Sequence, residues 1–463
     1  MPRTAALTLL ALALLPAAAH AQCQLQKFVP EPVYSGFGIY THLSPNYGAV
    51  VSDSEGDSPL TTVALYRRAG NTLTFSGHLL PAEGRDPGAN RYGHGLAMSG
   101  TTIVTADYMA NDFQGRVYTF LDNGATFDQQ TTLIPPPGVS AFGSALATDG
   151  QRLVVTSTWT APNGGPGGNA WVYTRNPTGW TRIQSDLNSS GLDGPEFGWS
   201  VSMDADTLAI GAPNQFDPGM YGSAFVYTWN GAGYTEQAQV FPPADPFPPQ
   251  GFGQAVVVSG DLLFVGAPER PFTGQVFIYK RTAGVWSFVE AINPTSIGNE
   301  FGRRIAYLPE SSLLLVSAEG DHTQEASGGA VYPFTISPAG NATALAPIFP
   351  NDMTEGHRFG AGLSASNGLA LIGARGNLRG SAYVFLPTGT CPETCPGNQC
   401  GGQDYNGDGD FGTDQDIEAF FACLGGTCCP NCFCQGSDFN GDGDFGTDQD
   451  IESFFRVLGG GSC

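Results

Sequence analysis

Between residues 24 and 390 the chain is written in short β-patterned runs broken by Gly, Asp, Asn and Pro. In the stretch beginning at Phe252, "QAVVVSG" and "LLFVGAP" are apolar runs separated by a Gly-Asp turn. "GQVFIYKR" then alternates apolar and polar residues, and "WSFVEAINP" closes the unit after a Gly-containing turn. Such runs, bounded by turn formers, predict four strands of one small antiparallel sheet. The same order recurs behind an aromatic-Gly pair at Phe37, Tyr92, Phe142, Phe197, Phe252, Phe301 and Phe359, at intervals of 55, 50, 55, 55, 49 and 58 residues. A regular spacing of this size marks a repeat architecture. Small sheets that cannot each bury a core alone must pack face to face around an axis, so the chain is expected to be all-β, a seven-bladed β-propeller.

The composition agrees: 64 Gly, 34 Pro and only 13% charged residues suit a turn-rich all-β protein. At the signature positions, the aromatic fills space between neighbouring blades and the Gly permits close backbone approach. "IGAP" at Ile210 and "VGAP" at Val265 end a strand with small residues before Pro stops it. These features resemble the FG-GAP repeat family, whose propellers include the integrin α-chain head; the resemblance covers about residues 24 to 390. Integrin-type repeats that hold calcium carry an acidic loop between the first two strands. Here that loop is shortened to "VSGD", "MSGT" or "ASNG", so those metal sites are not carried over to the propeller.

The register also predicts how the ring closes. The last repeat ends at "GSAYVFLPTG", from Gly380, without a fourth strand, and "CQLQKFVPEP" at the start of the chain matches one. The N-terminal segment is therefore expected to complete the last blade and remove an open edge. That register places Cys23 across from the chain just before Cys391 and predicts a disulfide between them, with Cys395 the next candidate partner.

Before this segment, the run "AALTLLALALLPAAA" followed by "AHA" and Gln22 fits a secretory signal peptide cut after Ala21. The reading is a signal peptide over 1–21, a propeller over 22–390 and a Cys-rich module over 391–463. The protein is expected to be secreted, extracellular or associated with the cell surface. No later run is long enough to span a bilayer. Nine of the ten cysteines lie between Cys391 and Cys463, which in an exported chain suggests disulfides. The net charge of −23 argues against a nucleic-acid partner.

That charge is concentrated in the tail. From Asp404 to Cys463 there are twelve Asp or Glu against one Arg, a net of −11. There "DYNGDGDFGTDQDIEAFFACLGG", from Asp404, returns at Asp438 as "DFNGDGDFGTDQDIESFFRVLGG". Carboxylates at alternate loop positions suit a hard cation such as calcium. Asp404, Asn406 and Asp408 stand at positions 1, 3 and 5, Gly409 turns the loop, and Asp410 offers its carbonyl at 7. Asp438, Asn440, Asp442, Gly443 and Asp444 repeat the set. Position 12 holds Gln415 or Gln449, so Asp416 and Asp450 are expected to close loops one residue longer, with Asp414 and Asp448 as competitors. A short helix follows each loop, with Ile417, Phe420, Phe421 and Leu424 on one face and Ile451, Phe454, Phe455 and Leu458 on its copy. The two apolar faces are small and are expected to pair. The arrangement resembles a dockerin-type domain, which implies a cohesin-like partner; a cell-surface or matrix contact is the other reading. Pairing of Cys400, Cys429, Cys434 and Cys463 within or across the two units stays open.

No H-E-x-x-H, G-x-S-x-G or phosphate-binding Gly loop is present. His94 and His357 flank aromatic-Gly pairs, where packing is the favoured role, and Asp107, Trp159, Asp217, Glu319 and Asp321 are candidates for a binding surface. The sequence thus points to a secreted non-catalytic binding or adhesion protein. Its propeller loops would take an extracellular protein or glycan, and its calcium-folded tail would attach it. The alternative is a secreted propeller enzyme, a hydrolase or lyase acting on polysaccharide, with acids converging from several blades. Paired carboxylates or His at one mouth of the propeller would favour that alternative.

Overall fold

The four runs of the fifth repeat form the strands Ala255–Ser259, Leu262–Ala267, Gln275–Thr282 and Val285–Ile292, each hydrogen-bonded antiparallel to the next. Ala283 and Gly284, with φ of +50° and +82°, form the two-residue turn between the last two. A computed structural model of the protein describes residues 23–30, 36–52, 61–84, 91–158, 167–188, 196–213, 222–244, 250–269, 273–294, 298–376 and 380–388. In the tail it describes 415, 417–418, 420–421 and 448–458. Among these residues the same four-stranded sheet occurs seven times, as blades over 37–79, 92–133, 146–187, 200–240, 255–292 and 305–344, and a seventh built on 359–386. The chain is a seven-bladed β-propeller. First strands of neighbouring blades lie close together and fourth strands lie far apart, so the first strands face the axis.

The core is divided among the seams. Each of seven apolar clusters draws residues from two adjoining blades; Ala209 and Val226 of blade 4, for example, meet Val265 and Phe277 of blade 5 around Phe252. All seven signature aromatics are buried, none more than 4% exposed. Burying one such side chain contributes roughly 1.5–3 kcal/mol. The glycines that follow them share one left-handed conformation, with φ between +90° and +99°. A Cβ on Gly253 would stand 2.4 Å from the carbonyl oxygen of Ser223 in the preceding blade.

A second glycine completes this stitch, one the sequence reading passed over. Gly222, Gly274, Gly329 and Gly380, each just before a third strand, form parallel bridges to Phe252, Phe301, Phe359 and Phe37 of the next blade. A Cβ on any of the four would lie 2.1–2.2 Å from the bridged phenylalanine carbonyl. These four seams each use two glycines and one aromatic ring at fixed places, which is why these residues recur with the period of the blades.

Blade 7 takes its outer strand from the start of the chain. Cys23–Phe28 pairs antiparallel with Ser381–Leu386, Cys23 opposite Leu386 and Phe28 opposite Ala382. Lys27 Nζ reaches Asp352 at 2.8 Å, and the Asn351 N–H donates to Gln24 Oε1 at 3.1 Å. Cys23 is fully buried and disulfide-bonded. Its partner, and with it Cys391, lies outside the described residues.

In the tail a helix runs over Asp448–Leu458. Phe420 and Phe454 are fully buried and stack at 4.0 Å and 10°, so the two helical copies do meet. Phe421 and Phe455 depart from the expected faces: they are 46% and 47% exposed, with centroids 6.2 Å apart. No helix among the described residues is long and apolar enough to cross a membrane.

Candidate functional site

Charged side chains converge where first strands begin and second strands end, near the axis at blades 6 and 7. Glu319 directly follows the second strand of blade 6, Leu313–Ala318, and Arg375 holds the equivalent place after Leu369–Ala374 in blade 7. Arg303 and Arg304 follow the Phe301–Gly302 pair. Glu300 and Arg358 precede the aromatics of blades 6 and 7, both in left-handed backbone, with φ of +72° and +55°.

Glu319 is the hub. Its side chain is 1% exposed, and its Oε1 accepts from Arg375 Nη2 at 2.9 Å. Arg303 Nε stands 3.5 Å from the same oxygen and Arg358 Nη1 4.0 Å. Glu300 Oε1 meets Arg303 Nη1 at 3.2 Å. Burial, and then a hydrogen bond to Glu319, raise Glu300 to about 7. Burial also works against the Glu319 carboxylate, but the Glu300 hydrogen bond and the charges of Arg303, Arg375 and Arg304 outweigh it and hold its pKa below the ordinary value. One carboxyl therefore keeps its proton while the other stays ionised.

A second chain of contacts crosses the mouth towards blade 2. Arg304 Nε donates to the Ala361 carbonyl at 3.2 Å, and its guanidinium lies 4.8 Å from the Tyr40 ring centroid. Tyr40 meets His94 edge-on at 4.8 Å, and His94 meets Tyr108 at 4.7 Å. Burial, then the charge of Arg304, lowers His94 to about 3, so the ring is neutral. Beside it a small cleft opens between blades 1 and 2, lined by Tyr40, Ser52, Thr61, Arg91 and His94 among others.

The structure sorts the residues singled out in the sequence. Glu319 is in the mouth cluster, but buried. Asp107 and Asp321 are also buried, at 2% and 1% exposure; Asp321 Oδ2 accepts from the Tyr332 hydroxyl at 2.6 Å. His357 is packed, 3.1 Å from the Tyr383 hydroxyl, which also reaches Asp352. Trp159 and Asp217 lie outside the described residues, as do Asp404, Asn406, Asp408, Asp410, Asp416, Asp438, Asn440, Asp442 and Asp444. Asp450 is placed only by its backbone, in the helix Asp448–Leu458. The sequence reading missed Glu300, Arg303, Arg358 and Arg375. A signal was available in "NEFGRRIAY", the only repeat with charged residues on both sides of its aromatic-Gly pair.

The fold and its stitched seams define a seven-bladed propeller. Residues 180–227, from the last strand of blade 3 to the third of blade 4, match the FG-GAP repeat family. No curated protein matches the chain. Among solved structures, one from Lactobacillus plantarum is 18% identical, with a TM-score of 0.47, covering 72% of this chain and 94% of its own. Another, from Bacteroides uniformis and described as a candidate 6-phosphogluconolactonase, is 14% identical, with a TM-score of 0.47, covering 70% of this chain and 92% of its own.

Proposed function

We propose that the protein is an exported, non-catalytic binding protein. Its propeller mouth captures an extracellular ligand, and its acidic tail, folded on calcium, attaches it to a protein partner or to the cell surface. The observation that carries this reading is the buried Glu319 carboxylate held within a ring of guanidinium groups from Arg303, Arg358 and Arg375, with Glu300 paired to Arg303. Glycoside hydrolysis by two carboxyls needs them about 5–9.5 Å apart, with the sugar between. Glu319 is 1% exposed and engaged by arginines, so it is not open to flank a sugar and suits holding those arginines in place for a ligand.

Co-sedimentation of the full-length protein with insoluble glycans, followed by product analysis, tests this. Retention with no released sugar is the expected result; steady release of sugar would overturn the reading. Two observations favour the enzyme alternative. The carboxyls of Glu300 and Glu319, with His94 nearby, stand together at the mouth, as the sequence criterion for an enzyme requires. Burial also raises Glu300 to about 7, where a carboxyl can give up a proton at neutral pH. If that reading holds, Glu300→Gln abolishes release while retention persists.

The attachment half of the proposal rests on the two acidic loops. Calorimetric titration of the full chain should show two calcium sites, Asp404→Ala removing one and Asp438→Ala the other. No heat at several millimolar calcium would sink the tail's assignment, since extracellular sites bind as weakly as about 10⁻³ M.

A further inference from the structure

We propose that the mouth over blades 6 and 7 is a binding site for a sugar acid, a hydroxylated ring carrying one carboxylate, which Arg303 and Arg358 hold by its carboxylate. The inference deepens the binding reading above and rests on it.

Charge is the first support. Three guanidinium groups surround one buried carboxylate, and only Arg375 is tightly engaged with it, at 2.9 Å. Arg303 and Arg358 reach Glu319 at 3.5 and 4.0 Å and are 32% and 45% exposed, Arg303 also meeting Glu300 at 3.2 Å. Four of the 19 Lys and Arg residues, Arg303, Arg304, Arg358 and Arg375, gather at this mouth in a chain of net charge −23. A planar guanidinium matches a carboxylate in a paired, charge-assisted geometry.

Unmet hydrogen-bonding capacity is the second support, independent of charge. Gln254 Oε1, Glu300 Oε2 and Arg375 Nε are buried without a hydrogen-bond partner among the described residues. Gln254 is 9% exposed, and its side chain bonds to Glu269, whose carboxyl feels the charge of Arg303, so blade 5 shares the same mouth. Native proteins rarely leave such atoms unpaired. The Gln254 oxygen calls for a donor and the Arg375 nitrogen for an acceptor, and the protonated Glu300 carboxyl can offer its hydrogen to an acceptor. Sugar hydroxyls supply both beside a carboxylate, whereas a lone carboxylate supplies no donor. The negative field of the whole chain opposes a densely charged polyanion, which favours one acid group per recognised unit.

The test is calorimetric titration of the full-length, oxidised, calcium-loaded protein at pH 6 with D-galacturonate and D-glucuronate. D-galactose, acetate and N-acetyl-glutamate amide are the comparisons. A sugar acid should bind at least about tenfold more tightly than any of the three. Arg358→Ala should weaken it about tenfold without lowering the melting temperature, and Arg303→Gln should weaken it about tenfold while also lowering the melting temperature, since it unpairs the buried Glu319. Equal affinity for galactose or for N-acetyl-glutamate amide would overturn the proposal, as would wild-type affinity in both variants. If neither sugar acid binds but glycan retention persists, this proposal fails and the binding reading stands. Turnover of a glycan would instead sink the binding reading itself.

Discussion

Gly253 has φ of +99°, and any side chain placed there would run into the Ser223 carbonyl. Gly253→Ala is therefore expected to cost more than about 1 kcal/mol, read as a lower urea midpoint. An alanine at Gly260, in an open hairpin turn with nothing near its Cβ, should cost less. Protonation is the other property decided residue by residue. Glu300 is raised from 4.5 to about 7, so the folded protein keeps a proton that the unfolded chain releases. Its contribution to stability is full below about pH 4.5 and is lost as pH rises through about 7. His42 and His94 are lowered by burial to about 4 and 3; their contribution is present above pH 6.5 and is lost as pH falls through those values. The melting temperature should therefore peak near neutrality. Glu300→Gln should remove the decline on the alkaline side and leave the acid limb; an unchanged alkaline limb would show that the carboxyl pair does not hold the extra proton. The aromatics and the glycines that follow them were legible because each is demanded by a contact that recurs from blade to blade, whereas the glycine before the third strand has no recurring aromatic beside it to flag it. The mouth cluster was hidden because its members come from separate repeats, and only the ring brings them together.

At the scale of the element, the strand Cys23–Phe28 matters most. It gives blade 7 its fourth strand, and Lys27, Gln24 and the buried Cys23 fasten it. Cys23→Ser is expected to cost about 2–4 kcal/mol, measured by denaturant unfolding without reductant. Peptide mapping of the oxidised protein should recover Cys23 joined to Cys391; a bridge to any other cysteine would refute that pairing. Deleting 22–28 should leave Ser381–Leu386 as an open edge and promote self-association, visible by size-exclusion chromatography. This closure was readable because a missing strand at one end of the sequence matched a surplus one at the other. The tail helices were readable in part. Spacing set Phe420 and Phe454 on the meeting faces, but it cannot tell how much of an apolar stripe a short partner covers, and Phe421 and Phe455 stay half-exposed.

For the whole molecule, seven similar seams share the stabilisation, so no single cluster is the core. Loss of one signature ring, as in Phe197→Ala, should cost about 3–5 kcal/mol, read as a fall in the urea midpoint. A ring with this closure also constrains the order of events during synthesis. The strand made first is the last to find its neighbour, because Leu386 lies 363 residues beyond Cys23. Contacts so distant along the chain form slowly. A chain halted before residue 380 would hold six blades and an unpaired opening strand, and completion of the ring would then report that the whole propeller had been made.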